Sequence, residues 1–322
     1  MKQRAAASAP GKVILFGEHF VVSGHPAVVT AINLRAKVEV IRENDTTTFR
    51  SRQSWSSWSR KGEPIHPNPP KTSSFTPLYM MASKMMEDHG VSGCFRAEIY
   101  SEIPGGAGLG SSAAISTALA KALSNLFGLN LATHRLVEYA MVAEKEYHGR
   151  PSGIDPHAAA YGGTLLYNGP GKFQPLQLSP SPELLVVFTG LKRKTSDMVD
   201  EVVRLARGNP REFGELSSLY REVFVRSVEA LKSNNLEFLG RLMTINHFLL
   251  RTLGLSNEVV ERCVEDLLKT GVYGAKLTGA GGGGSVVAVR RSNHEAAVLS
   301  LLSSYPKAWV VKTSCPGVRD EN

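Results

Sequence analysis

Ile103-Pro-Gly-Gly-Ala-Gly-Leu-Gly-Ser-Ser-Ala-Ala114 is a glycine-rich turn that runs directly into Ile-Ser-Thr-Ala-Leu-Ala-Lys-Ala-Leu123. Gly105, Gly106, Gly108 and Gly110 open backbone conformations closed to other residues and let the chain approach a ligand. Ser111 and Ser112 are residue types favoured at helix N-caps and are expected to cap the helix that follows. Ile115, Leu119, Leu123 and Leu126 fall on one stripe at helical spacing, and Gly128 is the expected stop. Free N–H groups, the helix dipole and two hydroxyls then face the loop, where an anion would sit. A lone glycine turn before a capped helix is explained by structure alone. Four glycines ahead of paired serines point to phosphate, without naming a reaction.

Working outward, 322 residues exceed what one hydrophobic core usually serves, so two domains are expected, divided near 180/181 as 1–180 and 181–322. Apolar residues make up 42% and charged residues 20%, as in an ordinary folded protein. The net charge of +8 suits an anionic ligand or nucleic acid. The basic residues are scattered, however, with short clusters at Lys192-Arg193-Lys194 and between Arg50 and Lys61. No zinc-finger spacing or RNA-binding aromatic signature accompanies them, which leaves nucleic acid a weak alternative. Cys94, Cys263 and Cys315 are few and far apart, which argues against a disulfide framework or zinc site and fits a reducing cytoplasm. The apolar stretch from Val13 to Ile32 is broken by Glu18, His19, Gly24, His25 and Pro26, so no membrane span is expected there.

Along the chain, Val13–Phe16, Ala27–Leu34 and Ala36–Ile41 read as strands, and the polar, Ser- and Pro-rich Asn44–Lys71 reads as a long surface loop carrying Trp55 and Trp58. A short hairpin is allowed for within that loop. Helices are expected over Thr76–His89 and Ala132–His148, the latter capped by Thr133, with strands over Phe95–Ser101 and Thr164–Tyr167. Gly169–Pro182 reads as a linker. Beyond it come a strand at Leu184–Thr189, several helices through Lys269, a strand-loop-strand around 272–289, then a helix and a strand at Trp309–Lys312. The mixture is α+β.

Lys276-Leu-Thr-Gly-Ala-Gly-Gly-Gly-Gly-Ser285 is a second glycine run. Gly279, Gly281 and Gly284 match the dinucleotide fingerprint, but a strand, Ser-Val-Val-Ala-Val, follows where a helix is required. The protein-kinase glycine loop does join strands, yet only 36 residues follow Val286 and no H-R-D or D-F-G tripeptide occurs. What remains is either a tight hairpin or a flexible backbone able to wrap a phosphate or substrate.

Glu144 falls on or beside the apolar face of its helix; an inward carboxylate needs a cation, either a Lys or Arg neighbour or a divalent metal. Asp155, in Pro-Ser-Gly-Ile-Asp-Pro-His157, reads as an N-cap ahead of a helix ended by Gly162 and Gly163. Ala9-Pro-Gly-Lys-Val-Ile-Leu-Phe-Gly-Glu-His19 puts Lys12 at the mouth of a strand and Glu18-His19 just past its end. Lysine there suits a phosphate or a neighbouring carboxylate.

Taken together, three ordered motifs resemble the GHMP small-molecule kinases across nearly the whole chain: Ala9 to Ala27, Pro104 to Ala114 and Lys276 to Ser285. The Gly-Glu-His-x-Val-Val-x-Gly-x-Pro-Ala wording of the first is similar to members of the family that act on mevalonate. Pro156-His157 departs from the Asn-containing continuation associated with many of them.

The resemblance implies a two-domain GHMP architecture, with a left-handed β-α-β unit in the N-terminal domain and a ferredoxin-like C-terminal domain. It also implies ATP- and Mg²⁺-dependent phosphorylation of the 5-hydroxyl of (R)-mevalonate by a cytoplasmic homodimer that engages neither nucleic acid nor membrane. By the same resemblance Asp155 would take the hydroxyl proton, with Lys12 beside it, and Ser112 and Glu144 would hold magnesium. Gly106, Ala107, Gly108, Leu109, Gly110, Ser111 and Ser112 would hold the ATP phosphates. Glu18, His19, Thr195 and the loop containing Gly279, Ala280 and Gly281 would meet the substrate. Another acceptor, such as phosphomevalonate or a sugar, and a catalytically silent sensor on the same fold are the alternatives.

Overall fold

The computed structural model describes residues 2–66, 73–149, 151–191, 195–291 and 304–321. The chain starts with β1 (Arg4–Phe16), which pairs antiparallel with β2 (Ala27–Glu43). β2 is one strand rather than the two expected. From Asn33 it alternates, with Leu34, Ala36, Val38 and Val40 inward and Asn33, Arg35, Lys37 and Glu39 outward. Arg35 does not break it, because its guanidinium turns outward and donates to Ser8 O, Pro316 O and Gly317 O.

The segment read as a surface loop holds the hairpin allowed for it, β3 (Thr46–Arg50) and β4 (Trp55–Ser59), and a third strand, β5 (Pro64–His66), followed by α1 (Thr76–Asp88) and β6 (Cys94–Ser101). Its inward residues are mostly small hydroxyl side chains, Thr47, Ser56 and Ser57, which read as polar in sequence yet are buried here. Phe49 and Trp58 supply the apolar anchor: Trp58 stacks on Tyr79 of α1 at 4.4 Å between ring centroids and meets Phe49 edge-on at 5.7 Å. Trp55 remains exposed.

α2 (Ser111–Phe127) packs on β1 and β2 and against α3 (Thr133–His148) and α4 (Ile154–Tyr161). Leu119, Leu123 and Leu126 are buried as expected, but so are Ala113, Ala114, Ala118 and Ala122, since small side chains let neighbours close over other faces. The helix stops at Gly128 with φ 70°. β7 (Thr164–Tyr167) pairs with β2, and β8 (Phe173–Pro175), inside the expected linker, pairs with β7. The first sheet runs β13-β1-β2-β6-β3-β4-β5 with β7 and β8 branching from β2; β13 is Arg319–Asp320.

The second sheet contains β9 (Glu183–Phe188), β10 (Gly274–Thr278), β11 (Ser285–Val289) and β12 (Lys307–Lys312). Its order, β12-β9-β11-β10, places the fourth, first, third and second strands side by side, all antiparallel, as in a ferredoxin-like unit. Between β9 and β10 lie α5 (Thr195–Gly208), α6 (Pro210–Lys232), α7 (Leu236–Thr252) and α8 (Glu258–Lys269). The helix expected before Trp309 falls on 292–303, and the basic cluster on 192–194; both lie outside the described residues. After β12 the chain returns to the first sheet, where Arg319 and Asp320 pair with Ser8 and Ala7. Among the described residues no helix is long and apolar enough to cross a membrane.

Trp58→Ala is expected to cost about 3–5 kcal/mol, the range for a buried aromatic. Urea unfolding of both proteins measures it; a change within about 0.5 kcal/mol, typical of surface positions, would return Trp58 to a surface loop.

Candidate active site

β1 is irregular between Pro10 and Lys12, where its register with β2 shifts, and there the Lys12 N–H donates to Leu109 O at 3.0 Å. The bulge ties β1 to the first glycine loop and turns the Lys12 side chain under it. Lys12 Nζ donates to Gly108 O at 3.0 Å and meets Asp155 Oδ1 at 3.1 Å. The lysine side chain is 5% exposed and that of Asp155 30%, so the pair opens to solvent through the carboxylate. Asp155 is not the cap expected of it. Gly153, in the left-handed region, caps α4, and Asp155 sits in its first turn, where the helix dipole favours a negative charge. Gly110 is needed at this point: its φ is 72°, and a Cβ there would lie 2.9 Å from Lys12 Cγ.

Neither Ser111 nor Ser112 caps α2; Gly110 occupies that position and no side chain bonds the helix end. Ser111 Oγ donates back to Ile103 O at 3.3 Å, while Ser112 Oγ lies 3.3 Å from His148 Nε2. The loop's unpaired N–H groups are therefore left for a ligand. Thr133 likewise starts α3 without capping it. One turn apart on α3, Glu144 and His148 face Ser112, with Glu144 Oε2 3.7 Å from His148 Nε2. The inward placement expected of Glu144 is observed; its nearest partners are His148 and Ser112, and the Lys12 ammonium also acts on its charge. Burial, reinforced by Asp155, pushes the Glu144 carboxyl up to about 7, while burial lowers His148. Both groups are thus driven toward their neutral forms. Glu144 Oε1 is buried with no hydrogen-bond partner, an orphaned oxygen that a cation would satisfy. Among the described residues no group of three or more His, Cys, Asp or Glu is placed to hold an ion; the orphaned Glu144 oxygen and the Ser112 hydroxyl would fit a magnesium ion completed by phosphate and water oxygens.

The second glycine loop lies against the first. A Cβ on Gly279 would come within 3.1 Å of Gly108 Cα, and one on Gly108 within 3.0 Å of Thr278 O. Ala280 O accepts from His19 Nε2 at 2.7 Å. Gly281 turns away from the cleft toward the α7–α8 connection, where a Cβ would meet Leu255 O at 2.6 Å. Glu18 lines the cleft beside His19, but its carboxylate is fully buried in an ion pair with Lys276 of β10. Thr195 opens α5, and its side chain lies outside the described residues.

The two glycine loops and the Lys12–Asp155 pair line one cleft of about 1700 Å³, larger than the roughly 300–1,000 Å³ of ordinary ligand pockets and roomy enough for two molecules side by side. Lys12, Gly108, Ser112, Glu144, Asp155 and Ala280 face it together. The Ser51–Ser54 turn between β3 and β4 and Tyr147 also line it, and sequence reasoning missed both. It missed His148 as well, although the i, i+4 spacing from Glu144 carried the signal. His157 plays no part here: its Nδ1 bonds Gly153 O at 2.8 Å, and its ring stacks on Phe173 at 3.8 Å in a separate cavity. The Pro-His departure noted in sequence thus sends its histidine away from the cleft.

The family models for the GHMP kinases N terminal domain and the GHMP kinases C terminal domain match residues 77–163 and 227–307. The chain belongs to the GHMP kinase family. This GHMP kinase is 34% identical to the mevalonate kinase of Pyrococcus horikoshii, over 100% of its own length and 99% of the relative's. It is 35% identical to that of Aeropyrum pernix, over 100% and 99%. In structure it is similar to L. major mevalonate kinase in complex with R-mevalonate (TM-score 0.81, 30% identity, 98% and 97% covered). It is also similar to Methanococcus jannaschii mevalonate kinase (TM-score 0.83, 28% identity, 95% and 97% covered).

The raised Glu144 carboxyl has a measurable consequence. An unfolded glutamate near 4.5 releases its proton long before the folded one near 7. Stability attributable to this group is therefore lost as pH climbs between those values, by an amount of the order of 3 kcal/mol. In metal-free buffer Glu144→Gln should gain stability over the wild type at pH 8 and lose that advantage at pH 5. Unfolding curves with EDTA at both pH values measure it, and an equal difference at the two would refute it.

Proposed function

We propose that the chain transfers the γ-phosphoryl group of ATP to the 5-hydroxyl of (R)-mevalonate, giving 5-phosphomevalonate and ADP. The observation that carries this reading is the Lys12–Asp155 pair, 3.1 Å apart and set between the first glycine loop and the His19–Ala280 wall of a single cleft. Full-length likeness to mevalonate kinases supports the choice of acceptor.

Asp155 accepts the hydroxyl proton as the oxygen attacks the γ-phosphorus. The Lys12 ammonium, held by Gly108 O and the carboxylate, stabilises the charge developing on that oxygen. The new O–P bond forms as the bond to the bridging oxygen breaks, and ADP leaves with that electron pair. N–H groups of Gly106–Ser112 and the start of α2 hold the phosphates, aided by the positive end of the helix. Ser112 Oγ and the Glu144 carboxylate would hold magnesium; when bound it neutralises phosphate charge. On the acceptor side, His19 and Ala280 form the wall against which mevalonate is placed. By family resemblance the enzyme works as a cytoplasmic homodimer.

ADP release from MgATP, run in parallel with mevalonate, phosphomevalonate, galactose, homoserine and no acceptor, tests the reading. Turnover with mevalonate alone is expected. Turnover with another acceptor would overturn the substrate, and silence with ATP still bound would favour a sensor. Asp155→Asn should lower kcat by roughly 10²–10⁴-fold while ATP binding, measured by calorimetry, stays intact; near-normal turnover would remove Asp155 from the role. Gly110→Ala, which pushes a methyl into Lys12, should lower kcat by roughly 10²-fold, and an unchanged kcat would show that Lys12 need not be held there.

A further inference from the structure

Lys276 and Glu18 form an ion pair with both side chains wholly out of solvent. Removing two charges from water costs several kcal/mol for each ion, and apolar replacements of similar volume are often as stable or more so. Stability alone therefore does not account for the pair, and its contacts show what else it holds. Glu18 lies past the end of β1 in the first unit; Lys276 lies on β10 in the second sheet. Lys276 Nζ reaches Ile14 O at 3.5 Å, and Asn246 Nδ2 of α7 donates to Glu18 Oε2 at 3.4 Å. Beside them Thr278 Oγ1 donates to Ile14 O at 3.0 Å and accepts from Ile14 N at 3.2 Å.

Two short stretches leave this base and meet again above it. One is His19, directly after Glu18; the other is Gly279-Ala280, directly after Thr278. They close a ring through the bond from His19 Nε2 to Ala280 O at 2.7 Å. His19 has φ 59° and ψ −38°, a positive-φ backbone that a non-glycine residue keeps only where its surroundings hold it. Because a carbonyl can only accept, Nε2 must carry the proton. In the neutral ring favoured by burial, Nδ1 is then a bare acceptor. That atom is buried without a partner, on a residue that lines the cleft.

We infer that Lys276 is a positioning residue: through its buried pair with Glu18 it holds His19 in one backbone state and one tautomer, with Nδ1 presented to a hydroxyl of the acceptor. The inference rests on the proposed function for the identity of that acceptor, though not for the clamp itself. Lys276 touches neither substrate; it acts by fixing the Glu18-His19 turn to the second glycine loop.

The double variant Glu18→Gln/Lys276→Met tests this, since it removes both charges and leaves no buried ion unpaired. Its melting temperature is expected to stay within a few degrees of the wild type. The KM for mevalonate should rise about tenfold, the worth of one well-placed hydrogen bond, with the KM for MgATP within about twofold. Nitrogen-15 spectra of the histidine rings supply a readout independent of substrate, with the His19 signal identified by its loss in His19→Gln. The wild type should show a single tautomer with unprotonated Nδ1, and the double variant an averaged ring. A double variant with normal mevalonate KM and an unchanged His19 spectrum would overturn the inference. If the wild type fails to turn over mevalonate, the functional reading falls while the His19 spectra still decide the clamp. Should the double variant not fold, Glu18→Leu/Lys276→Leu, a second charge-free pair, is read by the same spectra, where a sharp wild-type tautomer signal would count against the clamp.

Discussion

The backbone of Gly108 lies against that of Thr278 and Gly279, with no room between them for a side chain on either loop. This contact joins the end of β10 in one sheet to the loop ahead of α2 in the other, and so sets how the two halves of the cleft face one another. Lys12 reinforces it from below by donating to Gly108 O, and Gly284 adds to it, its absent Cβ lying 3.2 Å from Ala107 O. A methyl group at either contact would force the loops apart by a few tenths of an ångström. The geometry around Asp155 has little tolerance for that, since phosphoryl transfer relies on alignment more than on covalent help from the protein.

Around this contact the charges are divided between two depths. The Lys12–Asp155 pair opens to the cleft through its carboxylate, where a bound molecule can share it. The Lys276–Glu18 pair is closed to solvent on both sides. Between them Glu144 is left with an unpaired oxygen and a carboxyl that burial holds near neutrality. A cation bound there would displace the carboxyl proton and satisfy the unpaired oxygen.

Helix ends show where local preference yields to the site. Ser111, Ser112, Thr133 and Asp155 are residue types that favour capping, and none of them caps its helix. Glycines 110 and 153 in left-handed conformations end up at two of those positions, and Ala132 at the third. The side chains so released have other partners: Ser112 faces His148, and Asp155 faces Lys12. Capping tendencies amount to about 1 kcal/mol, small enough for tertiary contacts to override.

The sequence by itself determined the periodic elements and the order of the motifs. α2 with its stop at Gly128 and the strands around the second glycine run were legible because each has a signature within a few neighbours, whereas Lys12, Ser112, Glu144 and Asp155 were grouped by the resemblance of the three ordered motifs to the GHMP kinases. Tertiary structure alone decided what depends on distant partners. Trp58 and its serine-rich strands look exposed until α1 covers them; Glu18 looks available until Lys276, 258 residues away, claims it. The closing strand β13 is two residues long and has meaning only beside β1. Local patterns report backbone preference and which face is apolar, whereas the pairing of a buried charge or a short strand depends on how the chain returns through space, which no window of neighbouring residues records.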